Sequence, residues 1–421
     1  MQLPWANALA RALRQRHVLH SYEREQFLKE VPSMSDQLPV MGTGGRRMPD
    51  GVPIGIGAIA LLIFLGVGAA VGGELGQVAL ASLNALPFAV LAVLAYLGGS
   101  RFNWAWVAAG LWLAMLVGGA AIIVLGFGFA TVANIGAAQA SPGGAPQVAP
   151  GGWLRIGMIA LGTLGTIVAG TLLLFPQARR LIARRIPINP DSFVHTVALV
   201  AIVSIGAICT IPLLVLGQPP LLAMVGQMSA GVAAQGRDSA GMLRDQLYAL
   251  VWTIPAALLA VGYGTRRRLP EALVRLGLVR PTWRQILAAV GIALLLVVAV
   301  QLIGAGVSWL WGAMGWPITD EAAFGELLAF ALSPIGAVVI GVTAGLGEEL
   351  AVRGALQPRL GILLSNLFFT SLHALQYNWD SLLVVFAVGL ICGLVRKRTN
   401  TSTSAIVHGL YNFTLIMLSL A

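Results

Sequence analysis

The sequence predicts an all-α, polytopic membrane protein of about 11 transmembrane helices, with its N-terminus inside and its C-terminus outside. Three observations carry that prediction. Of 421 residues, 57% are hydrophobic and 10% charged, where a soluble domain carries roughly 25% charged residues. Apolar runs recur at the length of about 20 residues that a helix needs to cross the hydrocarbon core. Between the runs, Arg and Lys gather in alternate connections, as they do in cytoplasmic loops. The net charge of +10 would suggest nucleic acid in a soluble protein. Here it is divided into short clusters between apolar spans, so membrane lipids are the expected partner and nucleic acid is not.

Residues 1–52 are polar and mixed in charge and read as a cytoplasmic tail, with an amphipathic helix over Leu3–Val31 and a Ser/Gly/Pro-containing link behind it. No basic stretch runs directly into an apolar one at the start, so no cleavable signal peptide is expected. His17 and His20 stand one helical turn apart, but a zinc site needs three or four ligands, and a solvated helix face is the simpler reading. Spans are expected near 53–73, 77–98, 104–133, 153–175, 193–216, 246–264, 285–313, 327–347, 360–377, 381–395 and 404–420. The longest, 104–133 and 285–313, exceed the hydrocarbon thickness and must tilt, bend or protrude. Pro87, Pro212 and Pro255 fall inside spans and are expected to kink them.

The loops test this order. With Arg46 and Arg47 of the tail inside, the even-numbered connections should be cytoplasmic. They hold Arg101; Arg179, Arg180, Arg184 and Arg185; Arg266, Arg267, Arg268, Arg275 and Arg280; Arg353 and Arg359; and Arg396, Lys397 and Arg398. The opposite connections hold Glu74, the uncharged stretch Ala137–Gly152, the balanced pairs Arg237/Asp238 and Arg244/Asp245, then Asp320, Glu321, Glu326 and Asp380. One span more or fewer would invert every later loop.

Composition divides the membrane part in two. Residues 53–264 are rich in Ala, Gly and Leu, suited to close helix contact in lipid, and show no chemistry. His195 there stands at the start of a span without a carboxylate one turn on, which is the pattern of a helix-end histidine. Cys209 and Cys392 lie inside apolar runs and read as small buried hydrophobes. No repeat relates the two blocks, which counts against an inverted-repeat transporter.

Residues 265–421 carry the candidate site. Ionisable groups at membrane depth cost on the order of 2.5–3.5 kcal/mol each on insertion scales and mark function, yet Glu348, Glu349, Arg353, His373, His408 and Asn412 stand in or beside apolar segments. Glu349 and Arg353 are i, i+4 and oriented for an ion pair. Adjacent helical positions diverge by about 100°, so Glu348 faces elsewhere, either to a neighbouring helix or simply to water at the membrane surface. Phe369 and His373 share one face of the next span, and His408 and Asn412 share a face of the last. That last span opens on Thr399–Ser404, which offers capping hydroxyls. Convergence of the three segments on one polar pocket is the simplest expectation.

These residues resemble the CAAX prenyl endopeptidase and bacteriocin-processing (CPBP, or Abi) intramembrane proteases. Glu348-Glu349-x-x-x-Arg353 is similar to the family's first motif, Phe369-x-x-x-His373 to its second and His408-x-x-x-Asn412 to its last, with Gly389 and Gly393 matching its small-residue pattern between them. The aromatic residue usual before the Arg is here Val352. The resemblance covers the last third of the chain and says nothing of residues 1–264.

Peptide hydrolysis needs a base to activate water, donors for the oxyanion and a proton for the leaving amine. Glu348 is the expected base, with His373 holding the same water. His408 and Asn412 are expected oxyanion donors, as the resemblance also implies, and Glu349 and Arg353 act as supports. No partnered Ser or Cys nucleophile is recognisable, so acyl-enzyme chemistry is not expected. The rival use of the same atoms is a zinc site of Glu348, His373 and His408 with a water as fourth ligand. No cofactor is expected on the first reading; the absence of a His-Glu-x-x-His motif favours it. The expected substrate is a lipidated or leader-bearing peptide at the cytoplasmic face, and the expected location is the inner membrane of a bacterium. A non-catalytic scaffold or immunity protein, and a transporter, are the readings from other classes.

Overall fold

The computed structural model describes residues 66–68, 70–100, 102–139, 151–234 and 236–421. The tail helix, His17 and His20, most of the first expected span, Arg101 and the greater part of the loop Ala137–Gly152 lie outside the described residues. Among the described residues there is no strand, only an isolated bridge between Tyr263 and Arg267. The principal helices are α1 (Gly73–Ala81), α2 (Leu86–Gly98), α3 (Asn103–Gln139), α4 (Gly152–Thr171), α5 (Phe193–Leu216) and α6 (Ser239–Ala260). After them come α7 (Leu269–Leu276), α8 (Trp283–Met314), α9 (Pro334–Val342), α10 (Gln357–Leu372), α11 (Trp379–Arg398) and α12 (Thr401–Ser419). Between α9 and α10 runs a π-helix, Thr343–Leu356.

Among the described residues, 6 helical segments are long and apolar enough to cross a membrane, or up to 7 if the bent pair Gly73–Asn84 and Leu86–Gly98 counts as one span. The expected spans at 246–264 and 404–420 appear as α6 and α12. α6 carries Arg244 and Asp245, and α12 carries its own hydroxyls, His408 and Asn412. The expected spans at 327–347 and 360–377 appear as one helical run, Pro334–Leu375, of 42 residues.

That run is not a straight rod. Gly361 breaks it at φ 77° and ψ 171°, a conformation open to glycine, where a Cβ would also meet Pro187 Cδ at 3.1 Å. Sixteen residues of continuous helix would separate Arg353 from Phe369 by about 24 Å at 1.5 Å per residue. The Arg353 guanidinium instead lies 5.2 Å from the Phe369 ring centroid. The chain therefore doubles back at Gly361, and a hairpin of two helical arms results.

Of the three prolines expected to kink spans, Pro212 and Pro255 do sit inside α5 and α6. Pro87 does not: it occupies the first turn of α2, where its missing N–H has no intrahelical partner to lose. The 48° bend there is a break between two helices. The last helix also differs in detail from expectation. Its N-cap is the Asn400 amide, whose oxygen accepts from Thr403 N–H at 2.8 Å, so the hydroxyls around it are free for other contacts.

One buried cluster joins α3, α4 and α5 through Leu113, Val124, Ile159, Leu199 and Ile208, and reaches α10 at Leu360 and Phe368. A second joins α8, α11 and α12 through Leu296, Cys392, Val407 and Tyr411. A third holds α6 and α7 against the π-helix through Val261, Leu276 and Leu350. Leu111, Ile122, Leu161, Leu295, Leu302 and Ile335 point outward and are exposed, while Glu349 and Arg353 are fully buried. Apolar outside and charged inside is the arrangement of a multi-pass protein in lipid.

Candidate active site

α9 begins at Ser333-Pro334, where Ser333 Oγ accepts from Gly336 N–H at 2.9 Å and Pro334 fills an N-terminal position that needs no donor. It passes without interruption into the π-helix, whose i→i+5 bonding is rare and clusters at functional sites. The run meets α12 at glycines. A Cβ on Gly345 would stand 2.7 Å from Gly409 Cα, and one on Gly409 would stand 2.7 Å from the Gly341 carbonyl oxygen. Backbones touch there as small residues allow in lipid, and the residues just beyond, Glu349 and His408, are brought into contact.

Glu349 is completely buried and its charge is matched on every side. Its Oε1 lies 3.2 Å from His408 Nδ1. Its Oε2 accepts from Ser404 Oγ at 2.5 Å and lies 3.5 Å from Arg353 Nε. Arg353, equally buried, donates through Nη2 to Asn366 Oδ1 at 3.3 Å and lies over the Phe369 ring. Asn366 Nδ2 in turn donates to Phe386 O at 2.8 Å, which ties the pair to α10 and α11. A buried charge is tolerated only when so partnered.

Glu348 is placed differently. Its side chain is 38% exposed, and its Oε2 stands 3.8 Å from His408 Nε2, too far for a direct hydrogen bond. The imidazole of His408 thus has Glu349 on one nitrogen and Glu348 on the other. A carboxylate accepts only, so the contact to Glu349 holds the proton on Nδ1 and turns Nε2 toward Glu348.

His373, half-buried in the turn that ends α10, lies with Nδ1 at 2.9 Å from the Phe369 carbonyl oxygen. A carbonyl only accepts, so Nδ1 carries the proton and Nε2 presents a lone pair in the neutral ring. Its ring packs on Phe369, with centroids 4.6 Å apart, and stacks with Tyr377 at 6.1 Å. Phe369 also stands edge-on to His408 at 6.1 Å, so the two imidazoles share one aromatic neighbour. The side chain of Asn412, half-buried one turn beyond His408, makes no hydrogen bond among the described residues.

The one group of metal-ligating side chains whose donor atoms lie within 4.8 Å of one another, among the described residues, is Glu349, Cys392 and His408. It does not fit a divalent ion well: Glu349 already takes Arg353, Ser404 and His408, and the Arg353 guanidinium would repel the metal.

Several members of this network have no such role in the reading of the sequence, where Ser404 counts only among the capping hydroxyls. Ser404 precedes His408 by one turn on the same face, and that spacing was the available signal. Gly341-x-x-x-Gly345 was the signal for the close helix contact. Asn366 and Tyr377 carried none, since their partners lie on other elements.

Fold and site together define a multi-pass helical membrane protein with a carboxylate–imidazole–carboxylate cluster set beside a buried Glu–Arg pair. Residues 330–414, about a fifth of the chain and the part that holds all six candidate residues, match the family model of the type II CAAX prenyl endopeptidases described as Rce1-like. The match supports assigning this segment to the CPBP family of intramembrane proteases. Comparison with curated proteins and with solved structures gives no match.

Proposed function

We propose that the chain is an endopeptidase of the inner membrane of a bacterium, hydrolysing a peptide bond near the cytoplasmic face by water that Glu348 activates. Its substrates are prenylated or leader-bearing peptides, the class that the family implies. The observation that supports this reading is the unequal treatment of two adjacent glutamates on one imidazole: Glu349 is locked by Arg353, Ser404 and His408, and Glu348 is left half-exposed without a direct hydrogen bond.

In this mechanism a Glu348 oxygen accepts a proton from water while the water oxygen bonds to the scissile carbonyl carbon. The lone pair of His373 Nε2 accepts the second proton of that water as a hydrogen bond and orients it. The electron pair of the C=O bond moves to oxygen, and the Asn412 amide and, when the ring carries both protons, the His408 Nε2–H donate to the oxyanion. Collapse breaks the C–N bond, and the leaving amine takes the proton held by Glu348. Glu349 fixes the His408 ring, and Arg353 balances Glu349. In the alternative, Glu348, His373 and His408 would hold a zinc that polarises the same water, although the donor atoms of these three are not gathered within 4.8 Å of one another.

The test is peptidase activity of the full chain in lipid bilayers against prenylated and leader-bearing peptides. Glu348→Gln should lower turnover by about 10²–10⁴-fold, the range for loss of a general base, with an unchanged melting temperature. Exhaustive chelation should leave the wild-type rate intact. A wild-type rate in Glu348→Gln would remove Glu348 from the mechanism, and a chelated enzyme revived by zinc would establish the metal route.

A further inference from the structure

Arginines that mark topology belong in exposed loops, and several here do not. Arg359 on α10 is buried, Arg267, Arg275 and Arg396 are half-buried, and Arg266 lies exposed at their edge. They arise from the α6–α7 turn, α7, the first turn of α10 and the C-terminal turn of α11, and they gather where the π-helix ends. Three successive carbonyls there each take one guanidinium N–H: Arg353 O from Arg396 Nε at 3.1 Å, Gly354 O from Arg275 Nη1 at 3.2 Å and Ala355 O from Arg359 Nη1 at 3.1 Å. Arg267 Nη1 donates to Val261 O at 2.5 Å.

Tyr96 of α2 stands among them. Arg359 Nη2 donates to its hydroxyl, and the guanidinium carbons of Arg266 and Arg359 lie 5.4 and 5.8 Å from its ring centroid. The carbonyl bonds account for one N–H, out of five, on each of Arg267, Arg275, Arg359 and Arg396, for none on Arg266, and for none of the charge. Among the described residues no carboxylate lies within 4.0 Å of Arg266, Arg267, Arg275, Arg359 or Arg396. The acid on α7, Glu271, accepts instead from the Arg268 backbone N–H at 2.9 Å.

Burial, and then the charges of Arg359 and Arg267, push the Arg275 guanidinium down to about 9. A guanidinium keeps its proton inside proteins, so the repulsion stays in the fold until an anion relieves it.

We infer that Arg266, Arg267, Arg275 and Arg359, over the Tyr96 hydroxyl, form a binding site for a phosphate group. Guanidinium forks match phosphate oxygens two at a time. The site lies where α2, α6, the π-helix and α11 all end, the depth at which basic pockets between transmembrane helices take anionic lipid head groups. A bound phosphate would join α2, from the block without recognisable chemistry, to the hairpin that carries Glu348 and Glu349. The phosphate has two possible sources, an anionic phospholipid or a soluble phosphate.

The full chain in nanodiscs of phosphatidylcholine, with or without 10% phosphatidylglycerol as the probe, separates these sources. Native mass spectrometry of the released protein should show at least about fivefold preferential retention of phosphatidylglycerol if the lipid is the ligand. Inorganic phosphate added to pure phosphatidylcholine discs should raise the melting temperature by several degrees if the soluble anion is. In either case the effect should fall at least threefold in Arg266→Gln, which loses no hydrogen bond and so keeps the fold, and disappear in Arg266→Gln/Arg275→Gln. Arg398→Gln removes an exposed charge outside the cluster and should change nothing. Absence of both retention and stabilisation in the wild type would overturn the assignment. So would an effect unchanged in Arg266→Gln, or one reduced equally by Arg398→Gln, which would mark a diffuse surface attraction.

Discussion

The hydroxyls of Thr131, Thr166 and Thr210, before residue 260, and the buried polar groups around Glu349, within residues 330–414, find their hydrogen-bond partners in opposite ways. In the first region a hydroxyl turns back on its own helix: Thr131 donates to Phe127 O at 2.8 Å, Thr166 to Gly162 O at 2.8 Å and Thr210 to Ala207 O at 2.7 Å. Each bond spans three or four residues and asks nothing of a neighbour. In the second region Ser365 also bonds back on its own helix, to Gly361 O at 2.7 Å, but the buried polar groups around Glu349 reach across the chain. Glu349 meets Ser404 and His408, Gln357 Nε2 donates to Gly393 O at 2.9 Å, and Asn366 Nδ2 donates to Phe386 O at 2.8 Å. Local bonding hides a polar group from lipid, whereas long-range bonding fixes groups from several helices at one point. The second arrangement is what a chemical site requires.

The comparison breaks most readily at Glu349. Glu349→Ala leaves Arg353 buried without its carboxylate, and loss of one partner of a buried pair costs about 3–5 kcal/mol. Chemical unfolding in detergent micelles should show that loss, and peptidase activity should fall with it, because His408 loses the acceptor that fixes its Nδ1. Glu348→Gln, one residue away, should cost activity alone. Equal stability losses in the two variants would end the distinction between a structural and a chemical glutamate.

That distinction was legible in the sequence only in outline. The cost of charge at membrane depth singled out Glu348, Glu349, Arg353, His373, His408 and Asn412, and the i, i+4 spacing anticipated the Glu349–Arg353 pair, which is present at 3.5 Å. Helical phasing also separated the two glutamates. What the spacing did not carry was the contact of both with His408, since that depends on glycine faces of α9, the π-helix and α12 meeting backbone to backbone. The widening of the helix over Thr343–Leu356 and the reversal at Gly361 were hidden as well, because an apolar run with scattered glycines reads as continuous helix. Arg359 and Arg275 looked like loop charges, since burial by a tyrosine on a distant helix leaves no periodic trace.

Ser404 gives the next sharper test. Ser404→Ala removes a hydroxyl from a buried carboxylate, and hydrogen bonds to charged groups contribute about 1.5–3 kcal/mol. The unfolding free energy should drop by that amount while Arg353 and His408 still hold Glu349, so turnover should fall less than in Glu349→Ala. A turnover as low as that of Glu349→Ala would mean that Ser404 itself takes part in the chemistry.

Thr131→Val is the counterpart in the first region and should have the smallest effect. Thr131 is as fully buried as Glu349, and valine keeps its shape while removing the hydroxyl. The Phe127 carbonyl that accepts from Thr131 lies within α3 and remains available to the helix's own N–H ladder, so no orphaned acceptor is left behind. Replacement of a self-satisfied polar group by an apolar one of the same shape is close to neutral, and the change should stay within about 0.5 kcal/mol. A loss comparable to that of Ser404→Ala would show that burial, rather than the reach of the bond, sets the cost, and the contrast between the two regions would fall.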